Sequence, residues 1–373
     1  MGPVVIQEKE NFKERKHLKK KWKQEKLLKQ LKKVQDDVIV DSDKREEEGQ
    51  GEIPHLLEIS TLSIAVPGSI LENAQSAELR TYLAGQIARA ASIFQVDEVV
   101  VFDDIGASNI TDLKTMTQDD GVEVRARACC IQLARILQYL ECPQYLRKQF
   151  FPIHKDLQYA GTLNPLDAPH HLRQNDTFEF REGVVSNCPV KPGKGSMVNV
   201  GLLRDVQVDR CLTPGLRVTV KLLPSQPGSR KLHGVVVSPH LPRASIGVYW
   251  GYSVRVASSL SSVFSQAPYS NGYDLTIGTS DKGISVDKLK KRNLQPYKHA
   301  IIVFGGLNGL EAALEADELL KVDDPALLFD HYINTCPKQG SRTIRTEEAI
   351  LISLSTLRTK LVPELPPKDG VSD

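Results

Sequence analysis

The sequence lacks the features that identify several common classes of protein. Its six cysteines, at positions 129, 130, 142, 188, 211 and 336, form no Cys-x-x-Cys pair and have no metal-site spacing. No apolar run approaches the roughly 20 residues that a membrane-spanning helix needs. The first residues contain no apolar stretch typical of a secretory signal. We therefore expect reduced thiols, no metal and no membrane association, in a cytosolic or nuclear protein.

The glycine-rich fingerprints of nucleotide-binding proteins are missing as well. The segment Gly305-Gly-Leu-Asn-Gly309 matches neither the dinucleotide-binding G-x-G-x-x-G pattern nor a phosphate-binding P-loop. A Rossmann-type dehydrogenase is therefore a poor interpretation of this chain.

The net charge of +2 conceals two strongly basic segments. Lys13 to Lys33 contains eleven Lys or Arg and two Glu, a net charge of +9, and Arg181 to Arg243 contains ten Lys or Arg and three acidic residues, a net charge of +7. Two basic segments in an otherwise acidic chain predict a polyanionic partner.

Residues 1–52 are expected to form a basic and then acidic tail that is disordered or partly helical. Its basic part predicts nuclear or nucleolar entry and non-specific contact with RNA. A purely solvated extension is the alternative, and both interpretations can hold together.

Residues 53–175 alternate between strand and helix patterns, which predicts a parallel α/β sheet. Strands are expected in Leu56 to Val66 and Glu98 to Phe102, and a polar loop from Asp103 to Gly121. Two helices are expected at apolar helical spacing, one marked by Leu79, Leu83, Ile87, Ala90 and Phe94, the other by Ala126, Cys130, Leu133, Leu137 and Leu140.

Residues 176–246 contain short strand-like runs separated by Gly and Pro pairs, which predicts a small β-barrel. The runs are 178–185, 198–201, 216–222 and 232–237. The charge of +7 favours an RNA-binding barrel, and because Phe178 and Phe180 are its few aromatics, contacts to the RNA backbone should dominate. A purely structural β-domain would explain the strands but not the charge.

Residues 247–373 return to an α/β pattern. A helix is expected from Val254 to Phe264, and strands in Tyr273 to Gly278 and His299 to Phe304. The stretch from Ile333 to Leu357 predicts a tight loop that leads into a helix, capped by Thr346. Three polar or glycine-rich loops thus follow strand ends, where ligands of α/β sheets bind.

Two segments, LNPLDAPHHLR from Leu163 and GSRTIRTEEAILISLS from Gly340, resemble the SPOUT-class RNA methyltransferases, within the subfamily that carries an inserted OB-type domain. The resemblance covers 53–373 and implies a knotted α/β domain in two halves, 53–175 and 247–373, interrupted by an OB-like barrel. It also implies a trefoil knot, a homodimer and S-adenosylmethionine as cofactor. Gly340 is expected to allow the backbone to approach that cofactor closely. The cofactor-binding residues that it implies are Thr279, Gly305, Gly306, Gly309, Asn334, Cys336, Gln339, Gly340, Ser341 and Thr343.

The class includes enzymes that methylate uridine N3 in ribosomal RNA, so the resemblance implies a large-subunit rRNA uridine as target. Removing the N3 proton calls for a base or for a cation that stabilises the anion. The candidates are Arg255, Arg342 and Arg345 as cations and His170 as base. Each Arg could equally contact RNA phosphate or form an ion pair at a helix terminus, and His170 or His171 could simply lock a turn.

Two alternatives remain open at this point. One is a catalytically silent, SPOUT-derived factor for RNA binding or ribosome assembly. The other is a role at the mitotic spindle or centromere, which the animal subfamily suggests. The expected location is nuclear, nucleolar or cytoplasmic, and association with the spindle or centromere is the further alternative.

Overall fold

The computed structural model of the chain describes residues 59–106, 113–117, 123–190, 193–224, 231–289, 294–322 and 324–364. The predictions made for the tail, 1–52, lie outside these residues. In chain order the elements are β1 (Thr61–Pro67), α1 (Ala77–Ile93), β2 (Glu98–Phe102), β3 (Leu113–Thr117), β4 (Glu123–Arg127), α2 (Ala128–Glu141), α3 (Gln144–Phe150), β5 (Phe180–Val185), β6 (Met197–Asn199), β7 (Val206–Gln207), β8 (Arg217–Leu222), β9 (Leu232–Val237), α4 (Leu241–Ile246), β10 (Ser253–Ala257), α5 (Leu260–Ser265), β11 (Leu275–Ser285), β12 (His299–Val303), α6 (Gly309–Glu315), β13 (His331–Asn334) and α7 (Thr346–Leu357).

Six strands form one sheet in the order β10-β2-β1-β12-β11-β13, and every neighbouring pair is parallel. Side chains alternate between its faces, so that Ile64 packs with α1, α2 and α7 on one side. The next residue, Ala65, packs with α5 and α6 on the other side. Because both faces are covered, the central strands β1, β2 and β12 are buried and mostly apolar. The predicted parallel α/β sheet is confirmed.

Two of the sequence predictions for this part are wrong. The predicted loop from Asp103 to Gly121 contains β3, which pairs with β4 in an antiparallel hairpin, and Ala126 belongs to β4 instead of a helix. The predicted helix from Val254 to Phe264 is strand β10 followed by α5. Val254 and Val256 are β-branched and alternate along a strand that pairs with β2, while Ser259 caps α5 through its side chain.

The inserted segment forms a closed barrel of five strands in the order β5-β6-β7-β9-β8. All pairs are antiparallel except β7 with β9. Valines fill its interior, among them Val198, Val206 and Val220, each fully buried. The predicted small barrel is confirmed, although the two-residue strand β7 had no signal in the sequence.

A network of buried charges joins the barrel to the sheet domain. Arg217 of β8 donates to both carboxylate oxygens of Glu141 at the end of α2, at 2.7 and 3.0 Å, and to Glu182 of β5 at 2.8 Å. Glu182 also accepts from Thr219 at 2.5 Å and from the indole of Trp250 at 2.7 Å. Burial raises the pKa of Glu141, but the charge of Arg217 and the hydrogen bonds from His170 and Arg217 together outweigh it, so that this pKa lies well below its ordinary value.

Three further features bear on the expected class of protein. All six cysteines are free thiols. Within the described ranges, no group of three or more His, Cys, Asp or Glu side chains could hold a metal ion. Among the helices described, none is long and apolar enough to cross a membrane.

Candidate functional site

A cavity of about 1020 Å³ lies beside the ends of β12 and β13 and the middle of β11. Residues 279–281, at the register shift within β11, line it together with the loops 304–309 after β12 and 334–346 after β13. The segment before α1 and the N-terminal halves of α1 and α7 complete the wall. The hydroxyl of Thr346 donates to the carbonyl of Gly305 at 3.0 Å and ties the start of α7 to the loop after β12. The three segments predicted to share a ligand site therefore converge on one cavity, but the one after Gly278 is not a loop, because β11 continues through a register shift to Ser285.

Most of the predicted cofactor-binding residues line this cavity. The structure places Gly340 and Ser341 in the same loop but outside the lining. The predicted residues that do line it are Thr279, Gly305, Gly306, Gly309, Asn334, Cys336, Gln339 and Thr343.

The glycine that the cavity wall requires is Gly305. A Cβ there would lie 2.7 Å from the carbonyl carbon of Gly309 and 2.8 Å from the backbone nitrogen of Leu310. At Gly340, a Cβ would meet nothing within 4 Å. The packing of the protein itself therefore does not require a glycine at position 340, and the expectation that Gly340 lets the backbone approach the cofactor stays a prediction.

The start of α7 differs from the prediction. Arg345, not Thr346, is the N-cap residue. Glu348 accepts from the backbone nitrogen of Arg345 at 3.0 Å, and its own nitrogen donates to the carbonyl of Arg345 at 3.0 Å. Thr346 cannot serve as the cap because it is the first helical residue and its hydroxyl is directed to Gly305.

Two of the four predicted catalytic residues lie at the cavity. Arg342 and Arg345 both line it, and both are exposed. Across the described part of the chain, neither guanidinium has a hydrogen-bond or ion-pair partner. They are therefore free to contact an anionic ligand or substrate group.

The structure places Arg255 away from the cavity. It lies on β10, where its Nε is 2.8 Å from the carboxylate of Glu98 and its Nη2 is 3.0 Å from the hydroxyl of Tyr273. Another bond reaches the carbonyl of Val263 at 3.0 Å. Arg255 therefore forms an ion pair between two neighbouring strands, β10 and β2, and not at a helix terminus.

His170 is also remote from the cavity, at the junction between barrel and sheet. It is fully buried, and its Nε2 lies 2.9 Å from the carbonyl oxygen of Glu141 and 3.0 Å from a carboxylate oxygen of the same residue. His171 Nε2 lies 2.6 Å from that carbonyl. Burial and the neighbouring His170 lower the pKa of His171 to about 4. These contacts agree with the alternative in which the paired histidines lock a turn.

The barrel presents less positive charge than its sequence suggests. Arg181 is fully buried and donates to the carbonyls of Arg173 at 2.8 Å and Asp176 at 2.6 Å. Arg217 belongs to the buried network, and Arg243 pairs with Asp97. Three of the ten counted cations therefore stabilise the fold and do not face solvent as free charges.

The aromatics of the barrel are likewise unavailable for base stacking. Phe180 is fully buried, and Phe178 stacks on Trp250 with ring centroids 5.9 Å apart. This agrees with the expectation that any RNA contact here would involve the backbone of the RNA.

Sequence reasoning missed two parts of the cavity wall. Leu79, predicted to lie on a buried helix face, is 53% exposed and lines the cavity together with Tyr82, which is 55% exposed. Glu347 was noted only as a first-turn acid, but it is buried against the cavity. Glu347 and Glu348 are consecutive in the sequence, and nothing in the sequence indicates which of the two side chains is buried.

The fold and the cavity define an α/β protein with a polar ligand site at the carboxyl edge of a parallel sheet. Residues 61–357 match a family described as "Putative RNA methyltransferase". The chain belongs to this family and is an RNA methyltransferase.

Similar proteins support the assignment along most of the chain. A 28S rRNA (uridine-N(3))-methyltransferase of Drosophila melanogaster is 54% identical over 98% of this chain and 75% of its own length. Proteins with the same name are 60% identical in Homo sapiens, over 81% of this chain and 79% of the relative, and in Mus musculus, over 81% and 77%.

Proposed function

We propose that this chain transfers a methyl group from S-adenosylmethionine to N3 of a uridine in large-subunit ribosomal RNA. The observation that carries the proposal is the cavity in which a segment of β11 and the loops after β12 and β13 meet Arg342 and Arg345, whose guanidinium groups have no partner among the described residues. The names of the relatives supply the target, since those proteins are named for uridine N3 in 28S rRNA.

The residues present fit the proposed cofactor. The cavity of about 1020 Å³ is at the upper end of the range for ligand sites, roughly 300–1,000 Å³, and so has room for a cofactor and a target base. The loops at Thr279, Gly305 and Asn334 would hold the cofactor through backbone and amide groups. When bound, S-adenosylmethionine supplies an electrophilic methyl group on a positively charged sulfur.

The protein's own contribution is positioning and charge. The loops and the start of α7 would fix the reacting groups in line, which lowers the entropic part of the barrier. Arg342 and Arg345 stay protonated, so they would stabilise an anionic uracil or hold a phosphate, and neither would act as the base. Arg255 and His170 have no place in this proposal because neither lies at the cavity.

Several finer features of the fold belong to the same proposal. After edge strand β13 the chain returns to the loop that follows β12, where the hydroxyl of Thr346 donates to the carbonyl of Gly305. This path supports a SPOUT-type trefoil knot. The closed five-stranded barrel supports an OB-type domain that binds RNA together with the basic tail. Leu79 and Tyr82 are exposed beside the cavity, which supports a homodimer. The proposed target supports a nuclear or nucleolar location, where ribosomal RNA is made.

The test is methyl transfer from labelled S-adenosylmethionine to 28S rRNA, followed by mass spectrometry of the nucleosides. We expect N3-methyluridine in the RNA and one cofactor bound per chain by calorimetry. Cofactor and RNA binding without transfer would instead identify a catalytically silent RNA-binding factor. A folded protein that binds no cofactor would contradict the proposal at its first step.

A further inference from the structure

Glu347 differs from every other acidic residue at the cavity. It is the second residue of α7, it lines the cavity, and only 8% of its surface is exposed. Considering the described residues alone, its carboxylate has no hydrogen-bond or ion-pair partner. Its carboxylate oxygens stay open to the cavity, so a ligand bound there can donate a hydrogen bond to them.

The other titratable acids of the cavity wall are accounted for. Asp281 is exposed and accepts from Ser280 at 3.3 Å. Glu348 is exposed and accepts from the backbone nitrogen of Arg345. No histidine of the described chain lines the cavity. Glu347 is therefore the buried proton acceptor that the cavity offers.

We propose that Glu347 is the catalytic base that accepts the N3 proton of the target uracil, an inference that rests on the proposed function. The N3–H bond breaks and its proton passes to the Glu347 carboxylate. The electron pair left on N3 forms the new bond to the methyl carbon, and the donor sulfur keeps the pair of the broken carbon–sulfur bond. Glu347 then returns the proton to water.

The arrangement around Glu347 suits this step. Arg342 and Arg345 line the same cavity and would stabilise the negative charge that develops on the uracil ring. An ionised carboxylate accepts hydrogen bonds and donates none. The Glu347 carboxylate therefore matches uracil, because N3 of uracil carries a hydrogen. N3 of cytosine has only a lone pair, so cytosine would place a second acceptor opposite the carboxylate. Glu347 would thus also help to select the base.

The decisive variant is Glu347→Gln, which keeps the size of the side chain and removes its basicity. Under single turnover at neutral pH we expect the rate to fall about a hundredfold to ten-thousandfold, the usual contribution of a general base. The rate of the variant should rise about tenfold per pH unit as N3 ionises by itself, while wild type stays flatter. Calorimetry should show unchanged affinity for S-adenosylmethionine.

Two further variants make the result specific. Glu347→Asp keeps a proton acceptor and should retain part of the rate with the pH profile of wild type. Glu318→Gln removes a carboxylate that is exposed and outside the cavity wall, and it should behave as wild type. Thermal melting of each variant shows whether it is folded. Wild type should also bind RNA with the target uridine more tightly than RNA in which cytidine replaces that uridine. Glu347→Gln should reduce this difference in RNA affinity.

Each contrary result has a distinct meaning. If Glu347→Gln loses cofactor affinity in proportion to its rate, Glu347 binds the cofactor's ammonium group and the proposal is overturned. If the variant matches wild type at every pH, Glu347 is not the base, while the proposed function stands. If wild type forms no N3-methyluridine, the proposed function fails and this inference fails with it.

Discussion

The cavity and the junction between barrel and sheet use the same kinds of charged side chain in opposite ways. At the junction, Arg217 is bonded to both Glu141 and Glu182. At the cavity, Arg345 and Glu347 have no side-chain ion pair in the described part of the chain. Paired charges at the junction hold two modules together, and unpaired charges at the cavity are left for a ligand. The pairing, more than the residue type, separates a structural cluster from a functional one.

This difference also changes how the RNA-binding role that we propose for the barrel can be examined. Deleting the whole segment would remove Arg217 and leave Glu141 buried without its cation. A loss of cofactor binding after such a deletion would then report damage to the sheet domain. Substitutions of exposed lysines, such as Lys194, probe RNA contact without touching the junction.

The largest expected effect comes from breaking the junction with Arg217→Ala. Removal of one partner leaves Glu141 and Glu182 as buried carboxylates without their cation, and such a loss typically costs about 3–5 kcal/mol of stability. Chemical denaturation should show it. The matched control is Lys221→Ala, whose ion pair with Glu179 lies at the surface, where the cost is about 0–1 kcal/mol. Equal losses for both variants would mean that the junction is not a special point of the fold.

At the cavity, Arg345→Ala should act on rate and leave stability nearly unchanged. Loss of one electrostatic donor to a developing charge typically lowers the rate about a hundredfold to a thousandfold. Arg345→Lys should recover part of the rate, because a point charge cannot replace a planar guanidinium. Single-turnover methyl transfer beside cofactor titration separates the two effects. A parallel loss of cofactor affinity would assign Arg345 to the cofactor pocket.

The cavity wall itself can be tested by one pair of glycines. In Gly305→Ala the new Cβ meets backbone of Gly309 and Leu310, and such overpacking costs about 1–3 kcal/mol. Cofactor affinity measured by calorimetry should fall by about tenfold to a hundredfold. Gly340→Ala, where the Cβ meets nothing, should bind like wild type. The reverse order would show that the ligand itself approaches Gly340.

Much of the architecture could be predicted because it follows from local patterns. The run Val99–Phe102 is apolar and, together with Glu98, forms a strand buried on both faces, as its sequence indicates. The helix after it follows from its apolar spacing, with the start at Ala128 two residues later than expected. The error at Val254–Phe264 arose because short β-branched runs are ambiguous until a neighbouring strand, here β2, is known.

The site was harder to predict because its residues depend on long-range contacts. The motif was enough to assign the loop glycines and Asn334 to the site. It could not show that Arg345 lies at the cavity while Arg255 does not. Arg255 is neutralised by Glu98, a residue 157 positions away in the chain. His170 is likewise held by Glu141, 29 positions away. Charge counts along a sequence contain no information about such pairs, so the barrel's +7 overstated its free positive charge.

The smallest expected effect concerns the histidine pair at the junction and follows from the pKa of His171. In the folded protein this pKa is lowered to about 4, because burial and the neighbouring His170 disfavour the charged ring. The unfolded chain takes up the proton near the ordinary value of about 6.5. The contribution of His171 to stability is therefore complete above about pH 6.5 and is lost as the pH falls toward 4.

Urea denaturation at pH 7 and pH 5 measures this contribution directly. At about 1.4 kcal/mol per pH unit, wild type should lose up to about 2 kcal/mol through His171 over that interval. His171→Gln keeps an amide donor for the carbonyl of Glu141 but cannot titrate, so the variant should lose less stability. Glu141 stays ionised throughout, because its pKa lies well below this window. If the two proteins lose equal stability between pH 7 and 5, His171 is not held neutral, and the pH dependence comes from other groups.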